Sequence, residues 1–323
     1  MSARELSLET LRLEQRGRVL TAYFANPPLN FVTTVFARDM DRLTRAVDRD
    51  ETVGAVVLAS DVEGRFLTHA DAGELGAMMT GKPVPEVPFA AVLPFWKAVN
   101  RVIGLPGGAA VAQRLGPVGV GLLYGHRWKK ALLRINRSAV VYLAAISGPT
   151  LGGGQEMVLA CDLRYAADDP RVVMGQIEIL AGIIPGGGGT QRLPRIIGTG
   201  RALELILEGA PVDVHRAYEL GLVHRVVAAD ELLNEAQATA ARLAERSPSA
   251  VAAAKRLVYA ALDRPLRSGL EREFAAFLST GTTAYTGRAS AAFAQDRDRL
   301  ADTPFLADPA PWLDGTRLAH RGD

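Results

Sequence analysis

The chain has 323 residues, 48% of them hydrophobic and 22% charged, and a formal net charge of +2. These values exclude a wholly disordered chain and show no charge excess of the kind that marks a nucleic-acid binder. At about 150 residues per domain, the length predicts two domains or one domain with a large extension.

In chain order, the N-terminal stretch has no apolar signal-peptide core, and Glu5, Glu9 and Glu14 are too acidic for a transit peptide. The one cysteine, Cys161, excludes an internal disulfide and a Cys-based metal site. Together these predict a reducing, cytoplasmic setting. A strand is predicted over 18–24, a turn at Asn26-Pro27-Pro28, a helix over 34–48 with apolar residues at helical spacing, and a doubly covered strand over 53–60. A short helix is predicted from Glu74. From Thr80 to Tyr124 the sequence is Pro- and Gly-rich and apolar. Residues 102–125 carry a single charge, Arg114, but Gly104, Pro106, Gly107, Gly108, Gly116, Pro117, Gly119 and Gly121 are expected to break any continuous helix, so no membrane span is predicted.

Periodicity returns as a basic amphipathic helix over 128–136, then a buried strand over 140–146, and a glycine turn feeding a helix over 155–160. The alternation continues through 177–184 and 217–227. After about residue 230 only helices are predicted, over 231–245, 248–262, 266–278 and 288–300, followed by a partly mobile tail.

Two features carry chemistry. Gly152, Gly153 and Gly154 precede a helix whose first N–H groups point outward, which suits a developing negative oxygen. Their spacing does not fit a dinucleotide fingerprint. Glu156 lies just past this triplet, and Glu178 precedes a second glycine turn, 183–192. Two acids converging on one pocket would share a water, one taking its proton and the other giving a proton to the substrate. The residues alone leave open that both are solvated surface acids. His126, His215, His224 and His320 have no metal-ligand spacing, and no metal is expected.

The segments AAISGPTLGGGQEMVLACDLRYA, GQIEILAGIIPGGGGTQRLPRIIGTGRALEL and RAYELGLVHRVV closely resemble the enoyl-CoA hydratase/isomerase (crotonase) superfamily. NPPLNF, AVVLAS and GRFLTHADAGEL are similar to the family's earlier segments, in the same order. The resemblance implies an α/β fold, a spiral of ββα turns with a helical C-terminal trimerisation region. It divides the chain into an α/β core over 1–230, a helical region over 231–300 and a tail over 301–323. It also implies an acyl-CoA thioester as substrate, no separate cofactor, and a homotrimer or dimer of trimers. The oxyanion N–H groups map to Ala70 and Gly153, with Asp71, Ala72 and Gly73 lining the loop beside the thioester and Gly152 adjoining it. Glu156 maps to the water-activating base and Glu178 to the acid that protonates the α-carbon.

The sequence departs from the family pattern in several places. His69 stands where the family has glycine and is a further acid/base candidate. The spacing between the two acids is longer by about two residues, and Ile177 replaces a proline. Phe293 and Arg297 are weak substitutes for the family's C-terminal CoA contacts. The largest departure is an apolar insertion over about 76–125, whose Phe89, Val92, Leu93, Phe95 and Trp96 would either wall an acyl pocket or form a subunit interface.

Hydration of a trans-2-enoyl-CoA to a 3-hydroxyacyl-CoA is the leading expectation. Double-bond isomerisation and hydrolysis through His69 are its relatives, and a CoA-ester-binding protein with little turnover is the alternative from another class. The absence of a G-x-S-x-G elbow argues against a serine hydrolase.

Overall fold

The computed structural model describes residues 2–78 and 87–318. Thr80 and His320, which figured in the reading above, lie outside them.

β1 (Leu11–Arg16) and β2 (Val19–Phe24) form an antiparallel pair. β2 is buried throughout and leads through the Asn26 turn into α1 (Thr34–Val47). Thr33 caps α1 by accepting from the Phe36 N–H, and Phe36, Met40, Leu43 and Val47 face the core. β3 (Ala55–Ser60) pairs in parallel with β2, Val19 opposite Ala55 and Phe24 opposite Ser60. β1 was not foreseen: its charged, half-exposed residues give it only a weak apolar alternation, and it lies at the sheet edge.

After the loop 61–71 comes α2 (Ala72–Met78). The insertion then forms α3 (Phe89–Ile103), α4 (Gly108–Arg114) and α5 (Gly116–Arg137). As expected, 102–125 is not one continuous helix: Gly104 to Gly107 separate α3 from α4, and Leu115 separates α4 from α5, while Gly119 and Gly121 lie inside α5. Gly119, inside α5, packs so close to the Ala112 carbonyl of α4 that no side chain would fit. α5 is a single helix that absorbs the stretch predicted over 128–136.

Next come β4 (Val141–Ile146), β5 (Thr150–Leu151), α6 (Gly153–Ala160), β6 (Leu163–Ala167) and β7 (Val173–Gly175). A 3-10 turn covers Glu178–Ala181. It is followed by α7 (Gly189–Ile197), α8 (Thr199–Glu208), β8 (Val212–Asp213), α9 (Val214–Glu219) and β9 (Arg225–Val227). The chain alternates between two sheets, one of order β1-β2-β3-β4-β6-β9 and one of order β5-β7-β8. Strands β2 onward in the larger sheet are parallel. This is the kind of spiral the resemblance implies: after β4, each return to the large sheet is preceded by a short strand of the small one.

α10 (Leu232–Ala244) packs Leu232, Ala236, Ala240 and Ala244 into the main core. α11 (Pro248–Tyr259) is tied down by Lys255, whose ammonium donates to Asp162 at 2.7 Å and to the Val140 carbonyl at 2.8 Å. α12 (Leu266–Gly281) and α13 (Ala284–Leu300) complete the helical region. α14 (Pro304–Ala307) and α15 (Ala310–Leu313) set Phe305 and Trp312 against Phe293, and the Trp312 indole donates to Asp296.

Candidate active site

The loop after β3 is held like a strand. The Val32 N–H donates to the His69 carbonyl at 3.1 Å, and the Thr68 N–H to the Asn30 carbonyl at 3.1 Å. Ala70 bridges Val32, and Leu67 bridges Thr150. This carries Ala70 to the start of α6, where a Cβ on Gly153 would stand 3.9 Å from the Ala70 nitrogen. Among the described residues, neither the Ala70 nor the Gly153 N–H has an acceptor. Two free N–H groups side by side, one at a helix start, form a site for a carbonyl oxygen that gains negative charge.

The neighbouring glycines make this approach feasible. Gly152 has φ +48°, a conformation costly for any other residue. A side chain at Gly154 would collide with the backbone of Leu67 and Thr68. The triplet thus combines one unusual backbone angle with one very close backbone crossing.

Glu156 follows on the first turn of α6 and is almost wholly buried. One carboxylate oxygen accepts from the Gly187 N–H at 2.7 Å and the Gly189 N–H at 2.8 Å. Burial pushes its pKa up to about 7, against the pull of those two amides, and the charge of Glu178 pushes the same way. Glu178 opens the 3-10 turn and is half-buried, and burial raises its carboxyl too, opposed by the amides of Glu178 and Ile177 and by His69. Its Oε2 is buried with no hydrogen-bond partner, while its Oε1 faces Gly152. The two acids and the two free N–H groups therefore meet in one place. Between the two acids, the loop 168–172 pairs Arg171 with Asp169 at the surface.

Other predicted residues divide between site and scaffold. Asp71 caps α2, accepting from the Gly73 and Glu74 N–H groups at 2.7 and 3.0 Å, and Ala72 and Gly73 form the exposed first turn. His69 sits against Gly152, its ring 5.0 Å from that of Phe31 and its Nδ1 2.8 Å from the Ala70 carbonyl. Asp162 ties β4 to α11, accepting from the Tyr142 N–H, Lys255 and the Tyr259 hydroxyl. Phe293 belongs to the tail cluster, and Arg297 pairs with Asp298. The run His126 to Lys130 is not a solvated face throughout: Lys129 and Lys130 are exposed, but His126 and Trp128 are buried. Among the described residues no three metal-binding side chains cluster.

Three site residues were missed. Trp128 places its indole nitrogen close to Gly187, on the side where the second oxygen of Glu156 lies. Tyr124, one helical turn earlier, packs against the core, and its phenol is raised by burial and by the charges of Glu156, Glu74 and Glu178. Gln176 donates to buried Gln155 at 2.7 Å, bracing the strand before Glu178 against α6. Beforehand Trp128 was visible only as the start of a basic helix and Tyr124 as the end of the Pro- and Gly-rich stretch, and nothing showed which surface either would meet.

The fold thus sets two N–H groups without acceptors among the described residues, Ala70 and Gly153, near two carboxylic acids, Glu156 and Glu178. Comparison with known proteins bears on this directly. The profile of the enoyl-CoA hydratase/isomerase family matches residues 121–300. A probable enoyl-CoA hydratase of Rhizobium meliloti is 34% identical over 293 residues, covering 90% of this chain and 97% of that protein. A short-chain-enoyl-CoA hydratase of Clostridium acetobutylicum is 28% identical, with the same coverage. Among solved structures, an enoyl-CoA hydratase subunit of Geobacillus kaustophilus superposes with a TM-score of 0.71 at 29% identity, covering 90% of this chain and 96% of that one. Pseudomonas aeruginosa DspI superposes with a TM-score of 0.72 at 26% identity, covering 92% and 98%. The chain belongs to the enoyl-CoA hydratase/isomerase family.

Proposed function

We propose that the chain hydrates trans-2-enoyl-CoA thioesters to 3-hydroxyacyl-CoA. The observation that carries this reading is the buried Glu156 beside Glu178, both next to the unpaired N–H groups of Ala70 and Gly153. The thioester oxygen accepts from those two N–H groups, which drains electron density from the conjugated double bond. Ionised Glu156 takes a proton from water as the water oxygen bonds to C3. The negative charge then rests on the thioester oxygen as an enolate. As the enolate collapses, protonated Glu178 delivers its proton to C2. One water is added, and no electrons enter or leave. Coenzyme A enters as the thioester of the substrate, and the residues named need no separate cofactor.

Two acids favour hydration over double-bond isomerisation, which needs one base and no water. His69 is turned toward the Ala70 carbonyl and Phe31, so hydrolysis through it is the weaker reading. We infer a cytoplasmic homotrimer or dimer of trimers. The support is α12, whose Leu266, Leu270, Phe274, Phe277 and Leu278 form an exposed apolar stripe in the single chain. In this reading 1–230 is the catalytic unit, 231–300 the assembling region and 301–323 a closing tail.

The test follows loss of the conjugated enoyl absorbance across a series of trans-2-enoyl-CoA esters, for the wild type and for Glu156→Gln and Glu178→Gln. Turnover by the wild type and its loss in both variants is the expected result. Wild-type protein inert toward every chain length, or variants as fast as wild type, would remove the reading.

A further inference from the structure

The two carboxylate oxygens of Glu156 are held differently. Oε1 is taken by the Gly187 and Gly189 N–H groups. Oε2 accepts from nothing among the described residues, although Glu156 is only 2% exposed. Trp128 of α5 is in the converse position. It is 4% exposed, and its indole N–H donates to nothing among the described residues.

These two unpartnered atoms face one spot. A Cβ on Gly187 would lie 2.4 Å from Glu156 Oε2 and 2.4 Å from Trp128 Nε1, so the two atoms stand less than twice that distance apart. They do not hydrogen-bond each other. The core fixes the indole, whose ring centroid lies 6.1 Å from that of Phe36. Tyr124, one turn earlier on α5, has its phenol pushed up by burial and by the charges of Glu156, Glu74 and Glu178. This face of α5 therefore lies beside both acids.

A buried donor and a buried acceptor without partners are costly unless a small molecule serves both. Water does so, because it accepts from an N–H and donates to a carboxylate. The gap is shorter than the span of two ordinary hydrogen bonds, so one water bridges it. An indole N–H only donates, so the base remains Glu156. The missing side chain at Gly187 is part of the arrangement, since a Cβ there would strike both atoms.

We propose that Trp128 is a positioning residue for hydration: its indole N–H and Oε2 of Glu156 together hold the attacking water. The proposal rests on the hydration reading and deepens it. The indole donates to one lone pair of the water, and one O–H of the water points to Oε2. The remaining lone pair bonds to C3 as that proton passes to Oε2. Trp128 itself is unchanged by the reaction.

The experiment is steady-state hydration of a trans-2-enoyl-CoA by the full-length protein and by Trp128→Phe, which keeps a flat ring against Phe36 and removes the N–H. kcat should fall by about ten- to 10²-fold, the scale of a misplaced reactant. KM and the affinity for a non-reactive acyl-CoA should stay within about twofold. The rise of kcat/KM with pH should keep its wild-type midpoint, because Glu178, Arg192, Tyr124 and the two glycine amides around Glu156 are untouched. A crystal structure of the wild type should show one water within hydrogen-bond distance of both Trp128 Nε1 and Glu156 Oε2, a readout that does not depend on how the variant folds. Trp128→Phe at full rate, equal losses of kcat and acyl-CoA affinity, or no water at that position overturns the proposal. So does a midpoint moved to higher pH, which would show the indole bonded to the carboxylate itself. A wild type that hydrates no enoyl-CoA ends the hydration reading and this proposal together. A hydrating wild type with any of the other adverse results ends this proposal alone.

Discussion

The segment that holds the acids and the insertion handle apolar and polar groups in opposite ways. In α6 every residue from Gly153 to Ala160 is buried, and a carboxylic acid is buried with them. In α3 only Ile103 is buried, and phenylalanines face outward. The first arrangement costs stability to place an acid where its proton can be used. The second leaves apolar area uncovered in the single chain. Burying an acid and exposing phenylalanines are the two places where this chain departs from simple burial.

The widest separation between the regions lies in activity. Glu156→Gln and Glu178→Gln should each lower turnover by at least about 10²-fold, while Phe95→Ser in the insertion should leave turnover on a short enoyl-CoA unchanged. Steady-state kinetics on the three variants checks this.

The glycine triplet sharpens the contrast within the site itself. Gly153→Val should abolish binding of a non-reactive acyl-CoA, measured by calorimetry, yet leave the fold intact, since a Cβ there meets nothing closer than Val32 at 3.7 Å. Gly154→Ala should instead unfold the loop, because its Cβ would enter the Leu67 backbone. Thermal melts of the two variants distinguish a lost ligand from a lost loop.

Next in size is the buried anchor of α11. Asp162→Ala leaves the Lys255 ammonium buried beside one carbonyl and should cost about 3–5 kcal/mol in urea unfolding. Removing Glu219 from its exposed pair with Arg216 should cost at most about 1 kcal/mol.

The pH dependence of Glu156 has a definite sign. With its pKa raised from 4.5 to about 7, the folded protein holds a proton that the unfolded chain releases. Stability should therefore fall as pH rises through that window, by up to about 3 kcal/mol. Glu156→Gln should be more stable than wild type at pH 8 and equal to it at pH 5, by thermal denaturation. Activity should run the other way, kcat/KM climbing through about pH 7 as Glu156 becomes the base.

Much of the core was legible in the sequence because its strands are continuous apolar runs and α1 keeps strict helical spacing. Ala70, Gly153, Glu156 and Glu178 were named through the resemblance, and the fold sets them near one another. The insertion was not legible as helices. Gly108 and Gly119 are notches for close packing while Gly104 and Gly107 separate helices, and local sequence does not distinguish a notch from a break. Trp128 and Tyr124 were missed for a related reason: only the tertiary fold brings α5 against the 183–192 turn. β1 was missed because an edge strand with charges on half its positions carries little apolar signal.

The most direct test of the proposed chemistry follows atoms rather than rates. Hydration run separately in H2(18)O and in D2O, with mass analysis of the recovered thioester, should show one heavy oxygen at C3 and one deuterium at C2. A thioester with a shifted double bond and no heavy oxygen, or free coenzyme A with a labelled acid, would contradict the account.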